Sequence, residues 1–409
     1  MAGDFTTAAN IMKIDYQGPI RDQVNSNTVL YNRLEKVLAD NVKQTTQGSQ
    51  VTVPLRTGRN HGIGMRGTTG ATLPTAGNQV FGTTAVYNIQ AAYGTLKLEW
   101  PALKATRNNT GAFIKLLDVE MNGLIDDMVR DMNRQMLGDG SGVLTLCGTT
   151  TASTTVTVTS TAKMEVGMFV DIAATATGVS VTNGQNVEVL TIPSTTTFTV
   201  GIAVTTSSSH GVYRTGNYGN EISGIDYITD NADGTLGQGN YGGIDRDTYT
   251  WWQGQRVHNS AVNRALKSSL MRDALVASMK NAGASSKGIS AIYTNHEIAS
   301  IYGEMQIGDK RYNNLDGKAA MVFDAGWHGL MYGGIPIFED KDHAANKMTF
   351  VDESVLKIYH MGDWEWADAD NVLTKVEGEA AYEAVMQRYL EIGADMCNCH
   401  CQLEDLLES

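Results

Sequence analysis

GRNHGIGMRGTTGATLPTAGNQ, residues 58–79, decides how this chain is read: a stretch dominated by Gly, Thr and Asn that offers almost nothing to a hydrophobic core. Before it, SQVTVPLRT alternates Val51, Val53 and Leu55 with polar neighbours, and after it AVYNIQAAYGTLKLEW does the same with Tyr87, Ile89, Ala91 and Tyr93. The two runs predict the arms of a β-hairpin, with the quoted stretch as its tip. Arms of eight to ten residues at about 3.3 Å per residue reach roughly 30 Å. An isolated two-stranded ribbon is marginal in water. A projection of this length is therefore expected to lie on something outside its own domain.

Charge singles out the same region. Residues 41–98 contain no Asp or Glu, yet Lys43, Arg56, Arg59, Arg66 and Lys97 fall within them, while the whole chain carries a net charge of −13. A basic projection on an acidic body is complementary to another copy of itself, which sets partner choice and register. Arg56, Arg59 and Arg66 are accordingly the candidate inter-subunit contacts. A solvated loop that happens to lack acidic residues accounts for the charge equally well.

The 409 residues, 42% hydrophobic and 18% charged, suffice for a substantial core in two or three domains. The N-terminal MAGDFTTAANIMKIDYQG has no basic segment leading into an apolar run, and no eighteen consecutive apolar residues occur anywhere. Synthesis and retention in a cytoplasm are expected. Cys147 stands alone and Cys397, Cys399 and Cys401 cluster, which is no framework of paired disulfides, so reduced thiols are predicted.

Along the chain, residues 27–40 place Val29, Leu30, Leu34, Val37 and Leu38 on one helical face. The strongest helix runs over 111–137, with Ile114, Leu117, Met121, Leu124, Met128, Met132 and Met136 at three- and four-residue spacing. Asn108, Asn109 or Thr110 would cap its start and Gly138 its end, and Asp126 and Arg130 form an i,i+4 pair on its flank. A methionine stripe at this spacing reads as core. From TTTASTTVTVTST at 149–161 to about Arg214 the composition shifts to Thr, Val, Ala and Ser, which reads as a small β module inserted in a loop. A second helix is predicted over 257–282, with Val262, Leu266, Leu270, Leu275 and Met279 inward. GISAIYTNHEIASIYGEM then gives a strand, a cap at Thr294 or Asn295, and a helix. Long helices and long antiparallel strands without a repeated βαβ unit indicate α+β.

The order of N-terminal arm, Gly-rich basic hairpin ending in LPTAGNQ, amphipathic helix closing in LGDGSG, and then ISGI resembles the major capsid proteins of tailed bacteriophages. GGIDRDTYTWWQGQ, with Arg246, Trp251 and Trp252, resembles one branch of that family, and GGIPIFEDKD followed by KMTFVDESVLKI resembles its later half. The resemblance implies the Hong Kong phage 97 capsid fold, covering almost the whole chain. Its parts would be an N-terminal arm at 1–40, an extended loop at 41–100, and a peripheral domain at 101–145 with spine helix 111–137. An inserted β-rich domain at 146–216 would follow, then the peripheral domain continued at 217–255, an axial domain at 256–368 and C-terminal return strands at 369–409.

The same resemblance implies a coat protein that assembles as hexamers and pentamers into an icosahedral shell around double-stranded DNA. It would be located in the virion and assembled in the host bacterial cytoplasm, without a membrane. A scaffolding protein, a portal and a decoration protein are the further partners implied. An encapsulin-like compartment shares the fold and encloses enzymes instead of DNA. A β-rich adhesin or glycan-binding protein is the rival from another class, favoured by the Thr-rich segment but lacking an export signal.

Two departures from the family bear on mechanism. Some members weld neighbours through a lysine on the extended loop, and between Lys43 and Lys97 this chain has none, so a non-covalent shell is expected. A long cleavable N-terminal segment is also missing, which points to a separate scaffolding protein. Enzyme readings have little support. GxGxxG occurs at Gly62, Gly64 and Gly67 and again at Gly237, Gly239 and Gly242, in neither case opening a helix after a strand. GxxxxGK[ST], HExxH and GxSxG do not occur. No catalytic residue, cofactor or metal is assigned. Cys397, Cys399, His400 and Cys401 alternate across a strand with an uncommon zinc spacing, and half-buried thiols are expected there. An acidic chain without clustered Lys and Arg has no specific nucleic-acid site.

Overall fold

The computed structural model describes residues 28–37, 42–44, 50–68, 72–81, 83–101, 116–230, 240–283, 286–307, 330–367 and 374–408. These form two compact units. One comprises the described parts of Tyr93–Arg130 and Trp364–Gln387, the other those of Thr28–Ala92, Asp131–Asp363 and Arg388–Ser409.

The smaller unit is a strand-and-helix layer. Strand Gln90–Glu99 turns Gly94, Leu96 and Leu98 inward and Thr95, Lys97 and Glu99 outward. Leu96, Leu98 and Ala384 are buried, with Met121, Leu124 and Trp366 packed against them. The glycine is required by the close approach of the helix, since a Cβ at Gly94 would sit 2.3 Å from the Met128 Sδ. The helix is described over Leu116–Leu137, and residues 108–115, with the expected N-cap, lie outside the described residues. Met128 is buried here and Met121 and Leu124 are partly buried, while Met132 and Met136, on the stretch of the helix that belongs to the larger unit, are buried there. Arg130 meets Asp127 one turn back, at 3.1 Å, rather than Asp126.

In the larger unit, the N-terminal segment is a helical turn Val29–Asn32 continued by a π turn Arg33–Val37, with Leu30, Tyr31 and Leu34 buried. The Tyr31 N–H donates to Asn133 Oδ1 (3.1 Å) and Arg388 donates to the Tyr31 hydroxyl (3.0 Å). Leu38 lies outside the described residues. A six-stranded mixed sheet runs in the order Gln255–Val257, Cys401–Leu403, Met348–Val351, Ala291–Thr294, Ile335–Glu339, Met331–Tyr332. Ala291–Thr294 and Ile335–Glu339 are parallel and are joined through helix His296–Ile307, a single βαβ crossover. Asn295 caps that helix, its Oδ1 accepting from the Ile298 N–H at 3.0 Å. Leu266, Met271, Ala274, Ile298, Phe350 and Leu403 are among the residues of the shared core.

The predicted helix over 257–282 is shorter, Ser268–Asn281. Gln255–Val257 is drawn into the sheet beside Cys401–Leu403. The following turn is fixed by the Asp405 carboxylate, which accepts from the N–H groups of Asn259 and Ala261, with Ser260 and Ala261 at positive φ. Val262 therefore lies outside the helix and is 61% exposed; within the helix Met279 is 67% exposed, and Met271, Ala274 and Ser278 face inward.

Residues Val143–Leu146, Thr150–Thr157, Phe169–Ala174, Val187–Ser194, Thr197–Thr206 and His210–Arg214 form a separate six-stranded antiparallel sheet. It has its own core, centred on Val156, Ile172, Val189, Phe198 and Val212. Alternation accounts for much of the Thr content: in Thr197–Thr206 the buried residues are Phe198, Val200, Val204 and the closing Thr206, and the other threonines are exposed or half-buried. Most strand pairs among the described residues are antiparallel, with parallel pairs in the minority and no repeated βαβ unit, an α+β architecture.

Candidate assembly interface

The hairpin is built from Gln50–Leu55 and Thr83–Asn88, in register from Gln50 opposite Asn88 to Leu55 opposite Thr83. Its arms are shorter than the alternation suggested. The second run breaks at Ile89, and Gln90–Glu99 leaves to pair with Ala381–Ala394. Six paired residues span about 20 Å.

The foot of the hairpin is anchored. Ala85 and Tyr87 are buried, and the Tyr87 hydroxyl both donates to the Ala394 carbonyl (2.6 Å) and accepts from the Ala394 N–H (3.2 Å). Its ring packs against those of Tyr241 and Tyr359, at 5.4 and 5.8 Å between centroids. Burial raises the Tyr87 hydroxyl pKa well above its ordinary value, so it stays protonated. The Val86 N–H donates to the Gly242 carbonyl at 2.8 Å. Gly242 and Gly243 turn a tight hairpin between Asn240–Tyr241 and Ile244–Asp245, both at positive φ (60° and 72°), which glycine adopts without strain.

Arg246, Trp251 and Trp252 serve this foot. The fully buried Arg246 guanidinium donates to the carbonyls of Tyr227 (2.8 Å), Asp230 (3.1 Å) and Ile228 (3.2 Å), the end of helix Ile225–Thr229, and stacks on Tyr227 and Tyr241. A cation is favoured at a helix C-terminus. Trp252 Nε1 donates to the Tyr241 carbonyl at 3.0 Å, with Trp251 edge-on to it. The GGIDRDTYTWWQGQ run thus fixes the turn to which the hairpin is bonded.

The tip is open. Gly58 bridges Val80, and the Asn60 side chain accepts from the Gly62 N–H at 2.7 Å. Arg56, Arg59 and Arg66 are all exposed on this projection, and none makes an ion pair among the described residues. Arg66 folds back onto its own loop, Nε donating to the Thr72 carbonyl (3.0 Å) and Nη1 to that of Met65 (2.9 Å). Sequence reasoning missed the apolar side chains on the same projection: Ile63, Met65, Leu73 and Phe81 are 82%, 95%, 83% and 70% exposed. Four large apolar groups are thus held in water on one polar projection. Their signal was present as isolated apolar residues in a Gly and Thr background, which carries no periodicity to detect.

Other sequence candidates take structural positions. Cys397 and Cys399 lie in a turn and only Cys401 in a strand, so they do not alternate across one strand as expected. All three thiols are fully buried rather than half-buried, and burial pushes Cys397 and Cys401 up to about 12. His400 Nδ1 accepts from the Asp352 N–H at 3.1 Å, and burial lowers the ring to about 4. Among the described residues no group of three or more His, Cys, Asp or Glu is arranged to hold a metal ion. Gly62, Gly64 and Gly67 lie on the hairpin tip, Gly242 in the turn between Asn240–Tyr241 and Ile244–Asp245, and Gly237 and Gly239 outside the described residues. Among the described residues no helix is long and apolar enough to cross a membrane.

No protein-family model matches the chain, and no curated protein matches it by sequence. Solved structures do match. A chain of the cyanophage A-1(L) capsid asymmetric unit superposes with a TM-score of 0.65 at 13% identity, covering 98% of this chain and 99% of that one. Capsid chains of the native and empty GTA particle match at TM-scores of 0.55 and 0.54, each at 11% identity and with complete coverage of both chains. The fold is that of these phage and particle capsid chains.

Proposed function

We propose that the chain is a major capsid protein. Many copies would tile as hexamers and pentamers into the icosahedral head shell of a tailed bacteriophage and enclose double-stranded DNA. The observation that carries the reading is the anchored hairpin with an open tip, whose Ile63, Met65, Leu73 and Phe81 lie in water in the single chain. The fold shared with capsid chains over nearly their full length supports it. In this reading residues 1–40 are the arm, 41–100 the extended loop, 101–145 and 217–255 the peripheral domain, 146–216 the inserted domain, 256–368 the axial domain and 369–409 the return strands.

The contacts are non-covalent, because the tip offers arginine and apolar groups but no lysine. A scaffolding protein and a portal would join during assembly in the bacterial cytoplasm, and a decoration protein could add to the finished shell. DNA is enclosed without a dedicated binding site, and no catalytic step is assigned. Negative-stain electron microscopy with sedimentation of the protein, alone and with its genomic neighbours, tests the reading. Closed polyhedral particles tens of nanometres across are expected, and boiling in detergent should return monomers. Monomers or small oligomers under both conditions would overturn the shell, and a multimer ladder after boiling would overturn its non-covalent character.

A further inference from the structure

A cleft of ≈ 420 Å³ opens beside the foot of the hairpin, between Asn88 and Gln90, Asp139 after the long helix, the Gly242–Gly243 turn, and Glu391. Its walls carry three carboxyl groups in different states. Glu221 is matched by Arg134, Nη1 to Oε2 at 3.1 Å, and Asp139 accepts from the Ser141 hydroxyl (2.6 Å) and N–H (3.1 Å). Glu391 differs. It is 3% exposed, accepts from the N–H groups of Ser223 (2.8 Å) and Ile392 (3.2 Å), and no cation pairs with it among the described residues.

We propose that this cleft receives the hairpin of a second copy, seating Arg59 or Arg56 of that copy against Glu391. The inference rests on the shell reading and names the receptor for the hairpin within it. Three observations converge. A buried carboxyl without a counter-ion among the described residues lines a polar cavity open to solvent. Two exposed arginines on the projection have no acidic partner of their own, whereas Arg66 is already held by Thr72 and Met65. The projection contains no acid and the cleft offers no free cation, so two copies are complementary where one copy is not.

Burial pushes the Glu391 carboxyl up to about 8, so in the lone subunit it stands neutral. The other titratable groups at the cleft are Asp139, Glu221, Tyr227, Tyr241 and Tyr87, none of them a cation. An arriving guanidinium would draw the proton off Glu391 and form charge-assisted hydrogen bonds to the carboxylate.

Paired cysteines test the placement. Asn240 is an exposed residue of the cleft, and all four native cysteines are buried, so an introduced pair reports alone. Particles carrying Asn240→Cys with Arg59→Cys, or with Arg56→Cys, should give a ladder of disulfide-linked multimers on mild oxidation, and the single variants only monomers. Normal particles yielding monomers from both pairs would overturn the proposal while leaving the shell intact. Absence of particles from the wild-type protein would instead overturn the shell reading. If the paired variants fail to assemble, Glu391→Gln decides. Glutamine mimics the neutral carboxyl, so at pH 6.5 the free subunit should unfold at the wild-type midpoint while its particles dissociate at a lower urea concentration. An unchanged dissociation midpoint would overturn the docking.

Discussion

Replacing Phe81 by serine separates assembly from folding. Phe81 is 70% exposed in the single chain, so truncation removes few contacts within the subunit. Exposed sites of this kind shift stability by about 0.5 kcal/mol or less. If the ring is buried against a neighbour, its transfer from water is worth roughly 2 kcal/mol at about 25 cal/mol per Å². At 1.4 kcal/mol per tenfold, that weakens each contact roughly 30-fold. The assay is the subunit concentration at which particles first sediment, measured beside the thermal midpoint of free subunit. A threshold raised on the order of 30-fold with an unchanged midpoint is expected. Wild-type assembly would refute burial of the ring, and a lowered midpoint would refute its exposure.

Arg56→Glu combined with Arg59→Glu should raise the assembly threshold, and because the Glu391 carboxyl is buried the effect should persist as salt rises. A wild-type threshold would exclude the pairing with Glu391. The free subunit should be most stable near pH 6.5. His343 and His400 are held near 4 in the fold against 6.5, so the unfolded chain binds more protons and stability falls as pH drops from 6.5 toward 4. Glu391 is raised from 4.5 to about 8, so the folded chain holds the extra proton and stability from this group declines as pH rises from 4.5 through 8. Above pH 6.5 only the second slope remains, about 1.4 kcal/mol per pH unit at most. Urea unfolding across this range checks the profile, and Glu391→Gln should flatten its alkaline side. Phe198→Ala, in the closed core of the Thr-rich sheet, should cost about 3 to 5 kcal/mol by chemical denaturation. A loss under 1 kcal/mol would mean that this core is not packed as described.

The sequence by itself determined the elements whose periodicity is local. The methionine stripe of the long helix, the alternation of Val51, Val53 and Leu55, and the Asn295 cap are written at spacings of two to four residues, and the structure keeps them. The low-acid hairpin with Arg56, Arg59 and Arg66 was likewise legible as composition. Tertiary structure decided what depends on distant partners. Val262 fits a helical stripe, yet Asp405, far along the chain, fixes a turn before Ser268 that leaves Val262 outside the helix and in water. The continuous alternation through Ile89 divides between two partners, Gln50–Leu55 and Ala381–Ala394, because a strand's pattern does not name the edge it pairs with. Glu391 looks like any strand glutamate in sequence. Only burial beside the cleft, without a counter-ion, raises its pKa and gives it chemistry, since desolvation is a property of the assembled fold.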